Sequence, residues 1–295
     1  MNTPLKLAGF AIGLVAVFGA AAGVGHAVGP IGTTATTVAR GHDMGAHVAH
    51  EAAGAGGLPA KGLLVSQDGY TLDLATERLP AGPAAPVAFR ILGPDGSAVT
   101  SFDESHDKEL HLIAVRRDLT GFQHVHPSRA ADGTWTTSLV LTPGTWRLFA
   151  DFVPAADGVN RTLGADLSVP GLYDPAPLPA VSPTAEVDGY HVTLDGGLAA
   201  GHESELTLSV SRDGRPVTDL QPYLAAYGHL VVLREGDLAY LHVHPAGEPG
   251  DGTTDPGPHV TFFGTAPSAG TYRLFLDFKH EDAVHTAAFT VTAGA

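Results

Sequence analysis

The chain contains one pattern twice, and that duplication limits its architecture more than any other feature. Asp68-Gly69-Tyr70 recurs as Asp188-Gly189-Tyr190. Asp95-Gly96 precedes His111 by 16 positions, and Asp213-Gly214 precedes His229 by 16. His111 precedes His124 by 13 and His229 precedes His242 by 13, after which each copy reads His-Val-His-Pro, at 124–127 and 242–245. Each copy closes on a matched segment, residues 144–152 (GTWRLFADF) and 270–278 (GTYRLFLDF). The period is far longer than that of a solenoid repeat, so the unit is a whole domain in tandem. The second copy carries an extra stretch of about eight residues around Gly247 to Pro258.

Within each copy, short apolar runs are broken by Asp-Gly, Pro-Gly and Gly-Pro every 8–12 residues or so, the rhythm of a sandwich or barrel. Gly (37) and Pro (22) make up a fifth of the chain, which suits turn-rich β-structure. The expected fold is all-β, with two tandem immunoglobulin-like β-sandwich domains preceded by one N-terminal hydrophobic helix. The expected boundaries are 1–29 for that helix, 30–60 for a flexible His-containing tether, and 61–172 for the first sandwich. A Pro-rich linker at 173–184 and the second sandwich at 185–295 follow.

Leu7 to Gly25 is an uncharged stretch of small and apolar residues behind Lys6. As a helix, nineteen residues span about 28 Å, close to the hydrocarbon thickness of a bilayer. A secretory hydrophobic region is usually shorter. An uncleaved anchor is therefore favoured over a cleaved signal, and either places the sandwiches outside the cytoplasm. The net charge of -15 opposes binding to nucleic acid or to anionic head groups. With no Cys, disulfides, thiolate metal sites and cysteine nucleophiles are excluded.

Histidine is the unusual component, since 16 His equal all Lys and Arg together. HLIAVR (111–116) and GFQHVH (121–126) read as two strands joined by a tight turn, as do the runs 229–234 and 239–244. A two- or four-residue loop pairs positions that sum to 237 in the first copy and 473 in the second. A three- or five-residue loop would instead move His111 off the shared face. Opposed residues share a face, as do residues two apart on one strand. His111, His124 and His126 then point one way, and so do His229, His242 and His244. Opposed Cβ atoms lie about 4.5–5.5 Å apart, which lets imidazoles converge on one ion with metal–nitrogen bonds of about 2.0–2.1 Å. The expected ligand is a copper or zinc ion, one per domain. Alternatively, these His are polar plugs at the rim of a sandwich core, hydrogen-bonded to backbone.

Asp151 and Asp277, in the closing strands, are candidates to orient a ligand imidazole. An ion pair or turn contact is the competing reading. In the tether, His42, Met44, His47 and His50 form a second group of candidate metal ligands. Arg147 and Arg273 are expected in solvent. His280, Glu281, Asp282 and His285 are expected in a hairpin turn, while His106, His191, His202 and His259 have no partner assignable from spacing.

His-Val-His-Pro, Gly-Thr-[Trp/Tyr]-Arg-Leu-Phe-x-Asp-Phe and the tandem layout resemble uncharacterised secreted or membrane-anchored actinobacterial proteins with tandem immunoglobulin-like domains. In plan these are similar to periplasmic copper-resistance and heavy-metal-associated β-sandwich proteins. The resemblance covers residues 60–295 and implies fold and compartment more than activity. The copper-resistance proteins bind through a His at the mature N-terminus, which here only a cut after Gly25, exposing His26, would supply. The segment Phe122-Gln123-His124-Val125-His126 also resembles copper/zinc superoxide dismutase. That family needs further His and a disulfide, whereas here no His occurs between His126 and His191.

The favoured function is a non-catalytic extracytoplasmic protein that buffers or delivers copper or zinc through a three-His site in each domain. Its partners would be the metal ion, the membrane through the N-terminal helix, and an extracytoplasmic protein. The alternative is a structural or interaction module of two exported sandwiches with structural His. A dismutase-like metalloenzyme ranks third, because no Ser-His-Asp arrangement, paired-carboxylate motif or phosphate loop is present.

Overall fold

The computed structural model describes residues 60–241 and 243–294. The N-terminal helix, most of the tether with His42, Met44, His47 and His50, and also His242 lie outside the described residues. Every described element is a strand. The first copy contains β1 (Ser66–Gln67), β2 (Tyr70–Leu74), β3 (Gly82–Leu92), β4 (Phe102–Asp103), β5 (Leu110–Arg116), β6 (Gln123–Val125), β7 (Ser128–Arg129), β8 (Trp135–Leu141), β9 (Gly144–Pro154) and β10 (Arg161–Val169). The second contains β11 (Thr184–Val187), β12 (Tyr190–Gly196), β13 (Glu203–Arg212), β14 (Arg215–Pro216), β15 (His229–Arg234), β16 (Tyr240–Leu241), β17 (Val243–Pro245), β18 (His259–Thr265), β19 (Gly270–His280) and β20 (Ala283–Ala293).

Each copy is a pair of facing antiparallel sheets. In the first, an outer sheet β1-β2-β3-β8-β7 covers an inner sheet β10-β9-β5-β6. In the second, β11-β12-β13-β18-β17 covers β16-β15-β19-β20. Phe89 and Trp135 of the first outer sheet pack with Leu112, Trp146 and Leu148 of its inner sheet. Val192 and Phe262 meet Leu230, Tyr272 and Phe289 in the second. Asp68-Gly69, Asp188-Gly189 and Asp213-Gly214 each take two successive left-handed conformations, the turn whose twist matches its flanking strands.

The inner sheets have a second buried face. Leu110, Leu112 and Ala114 of β5 point into their own sandwich, while His111, Ile113 and Val115 point away from it. β15 does the same with Leu230 and Val232 against Val231 and Leu233. The outward sets meet one another, so Ile113, Val115, Phe149, Val231, Leu233 and Phe275 form a third core, between the sandwiches. Strands buried on both faces read as continuous apolar runs, which is why HLIAVR and HLVVLR do not alternate. Phe122 stacks on Phe275 across this core with ring centroids 4.0 Å apart, and Tyr240 meets Phe149 at 5.7 Å. The alternative that placed these His at the rim of their own sandwich core is corrected in position, because that face borders the other sandwich.

Both hairpin turns contribute to the same contact. Leu119 and Leu238 adopt left-handed backbone, with φ of 62° and 63°, which is unfavourable for a leucine. Both side chains are buried in the third core, and that burial offsets the conformation. Arg147, expected in solvent, is buried and donates to the carbonyls of Gly62 and Leu63 at 2.6 and 2.9 Å. Arg273 is half-buried and donates to Thr290 Oγ1 at 2.8 Å. The connecting segment 170–183 is held as well, because the Ala176 N–H donates to Asp118 at 3.0 Å and Leu178 packs on the third core.

Phe275→Ala removes the stacked partner of Phe122 without touching either sandwich core. Urea unfolding should show a loss of about 3 kcal/mol or more, and limited proteolysis should cut within residues 170–183 sooner than in the wild-type chain.

Candidate functional site

The hairpin registers follow the sums read from the sequence. Leu112 pairs with Val125 and Ile113 with His124, each summing to 237. Val232 pairs with Leu241 and Leu233 with Tyr240, each summing to 473. In the first copy this register gathers all three His. His111 Nδ1 lies 3.0 Å from His124 Nε2 and 3.3 Å from His126 Nε2.

The second copy departs from the pattern. After Leu241 its strand leaves the inner sheet, and β17 pairs with β18 of the outer sheet, setting His244 opposite Phe263. His244 therefore does not stand opposite His229, and His242 lies outside the described residues. In the first copy the corresponding exit comes two residues later, because β6 still pairs with β5 at Val125. That difference keeps His124 on the inner sheet.

His229 instead joins the first copy's trio. Its ring stacks on that of His111 at 5.5 Å with 13° between planes, and lies 4.6 Å from that of His124. His111, His124 and His229 place ligand-capable atoms within 4.8 Å of one another. His106, for which spacing offered no partner, lies 6.1 Å from His111 and 5.9 Å from His229, ring to ring. A cavity of about 20 Å³ adjoins the cluster, lined in part by Ser105, His106, His111, Asp151 and His229.

The carboxylates behave differently in the two copies. Asp151 faces His111 in the β5–β9 register, and Asp277 faces His229 in the β15–β19 register. Asp151 accepts from Asn160 Nδ2 at 2.6 Å and Thr162 Oγ1 at 2.8 Å. Asp277 accepts from Thr286 Oγ1 at 2.6 Å and, across the domain boundary, from His124 Nδ1 at 2.9 Å. Strand register makes Val284 the counterpart of Asn160, so the second copy has no amide to take Asp277's other oxygen. Asp277 thus orients an imidazole of the other copy. No spacing within one repeat contains that pairing.

Burial and crowding with like groups disfavour protons here. Burial, with His124 nearby, lowers His111 to about 4. Burial, then His124 and His111, lowers His126 to about 3. Burial holds His229 well below its usual value, with the neighbouring imidazoles acting in the same direction. Tyr223, whose ring is 6.4 Å from that of His126, is raised to about 12 by burial and by Asp277. Away from the cluster, His280 Nδ1 bonds Tyr190 Oη at 2.7 Å, and His285 Nδ1 bonds Asp188 at 2.8 Å. Glu281 and Asp282 form the hairpin turn expected there.

A single family model matches the chain twice, over residues 65–171 and 185–295. The chain belongs to that family, Domain of unknown function (DUF8832). Its two DUF8832 copies coincide with the two sandwiches. No curated protein matches the chain. Solved structures similar to it include the Escherichia coli adhesin FdeC, at 15% identity, covering 78% of this chain and 65% of that one with a TM-score of 0.26. The Yersinia pseudotuberculosis adhesin InvE is 18% identical, with 77% and 59% covered and a TM-score of 0.23. Fibronectin(III)-like modules of Clostridium thermocellum CbhA are 14% identical, with 76% and 92% covered and a TM-score of 0.21. The chain spans about three-fifths of the length of the two adhesin structures. These likenesses concern the tandem sandwich fold alone.

In metal-free protein the lowered His values fix a pH dependence. The unfolded chain takes up protons below about 6.5. Folded His111 refuses one until about 4, and folded His126 until about 3. The unfolded state therefore binds more protons in that window, and stability, complete above about 6.5, falls as pH drops through it. Urea midpoints measured from pH 7.5 to 4.5 should decline, and His126→Asn should flatten the decline.

Proposed function

We propose that the chain is a non-catalytic structural and interaction module, two sandwiches fixed as one body outside the cytoplasm to engage an extracytoplasmic protein. The observation that carries this reading is the core between the sandwiches. A duplicated domain that served only as two independent binding units would have no need to bury the second face of both inner sheets. Here that face is apolar from Ile113 to Phe275, and the connecting segment is tied to it. The outer sheets are left as the presented surfaces, with Val140 of β8 and Leu172 of the connector among the exposed apolar side chains. Anchoring through residues 7–25 fits the same reading.

Metal storage or transfer through a three-His site in each sandwich has the imidazole cluster in its favour. Among the described residues one such cluster forms, built from both copies.

Alkaline phosphatase fused after Ala60 should be active in cells, and an inactive fusion would contradict the assigned compartment. A photo-crosslinking residue at Val140 or Leu172 should yield one discrete protein adduct. Ile113→Asp combined with Phe275→Asp, which separates the sandwiches, should abolish it. An adduct pattern indifferent to that separation would overturn the module reading.

A further inference from the structure

We propose that His111, His124 and His229 form one composite site for a divalent transition-metal ion of the zinc or copper type, shared between the sandwiches, with His126 beside it. The inference stands apart from the module reading and rests on where the ring protons must be.

His111 Nε2 lies 2.9 Å from the carbonyl oxygen of Ser105. A carbonyl only accepts, so Nε2 carries the proton and neutral His111 presents a bare lone pair at Nδ1. His124 Nδ1 lies 2.9 Å from Asp277 Oδ2. A carboxylate also only accepts, so neutral His124 presents a bare lone pair at Nε2. These two bare nitrogens are the atoms that face each other at 3.0 Å. Two lone pairs at that separation repel unless a cation lies between or beside them. His229 contributes a third nitrogen, since its Nδ1 is buried and has no hydrogen-bond partner.

The distances suit an ion. Tetrahedral coordination with metal–nitrogen bonds of about 2.0–2.1 Å sets ligand nitrogens about 3.3–3.4 Å apart. His111 Nδ1 already lies 3.0 Å and 3.3 Å from His124 Nε2 and His126 Nε2. His229 offers its atom within 4.8 Å of those of His111 and His124, and ring rotation would have to close that gap. The Asp277–His124 contact is the carboxylate–imidazole pairing that fixes the tautomer of a metal ligand and raises its basicity. Neutral imidazoles without thiolate favour zinc and copper, and equilibrium affinity favours Cu(II).

The test uses the full chain, purified without a tag and stripped with chelator, then titrated with Zn²⁺ and with Co²⁺ as a spectroscopic probe. One tight equivalent with nitrogen coordination is expected. His124→Gln in the first sandwich and His229→Gln in the second should each abolish that same equivalent. Asp277→Asn should weaken it by about 10–100-fold. The triple change His42→Gln, His47→Gln and His50→Gln should leave it in place. Two equivalents lost independently, one per sandwich, would overturn the proposal, as would an equivalent that survives both single changes. X-ray absorption of the zinc-loaded wild-type chain needs no variant. Three or more imidazoles around the ion are expected, and a mostly oxygen shell with at most one imidazole would overturn the site.

Discussion

The structure depends on the burial of a second face on each inner sheet. A sheet in an isolated sandwich has one face in the core and one in water. Here β5, β9, β15 and β19 have apolar side chains on both faces, and the outward ones of the two copies pack together in one shared cluster. Phe122 on Phe275 and Tyr240 on Phe149 are equivalent contacts exchanged across an approximate two-fold relation. Through this packing the duplicated domain behaves as a single unit, with its polar end residues facing one another at the edge of an apolar core.

The same relation places His111 beside His229, because they occupy equivalent positions on β5 and β15. Symmetry alone would then offer the same surroundings from either side. Two local differences break it. The second hairpin strand leaves for the outer sheet two residues early, which takes His244 away. Val284 stands where the first copy has Asn160, which leaves Asp277 an oxygen for His124. Among the described residues, duplication followed by small divergence thus leaves one cluster with contributions from both copies.

Much of this was legible from residue order. The tandem sandwiches, the Asp-Gly turns and both hairpin registers follow from periodicity and turn chemistry, which act over a few residues. Convergence of His111, His124 and His126 followed from the same reasoning. What spacing could not supply was the docking of one copy on the other. His229 reaches the first trio through space, and Asp277 meets His124 across 153 positions of sequence. The available signal was indirect: HLIAVR and HLVVLR lack the alternation of a half-exposed strand, which implies cover on both sides. Arg147 was misplaced for a different reason: the segment ahead of β1 covers it, and the carbonyls of Gly62 and Leu63 accept from its guanidinium.

Coupling between the cluster and the docking follows from where its members are anchored. His111 and His124 are fixed by β5 and β6, whereas His229 and Asp277 are fixed by β15 and β19. Any cation held by both sets must favour the docked arrangement over a separated one, because separation would leave each set with too few ligands. The apolar core supplies docking that needs no ion, and the imidazoles add an increment that exists only while the sandwiches touch. The order of dependence is therefore one-way. The third core can persist without the cluster, but the cluster cannot assemble without the third core.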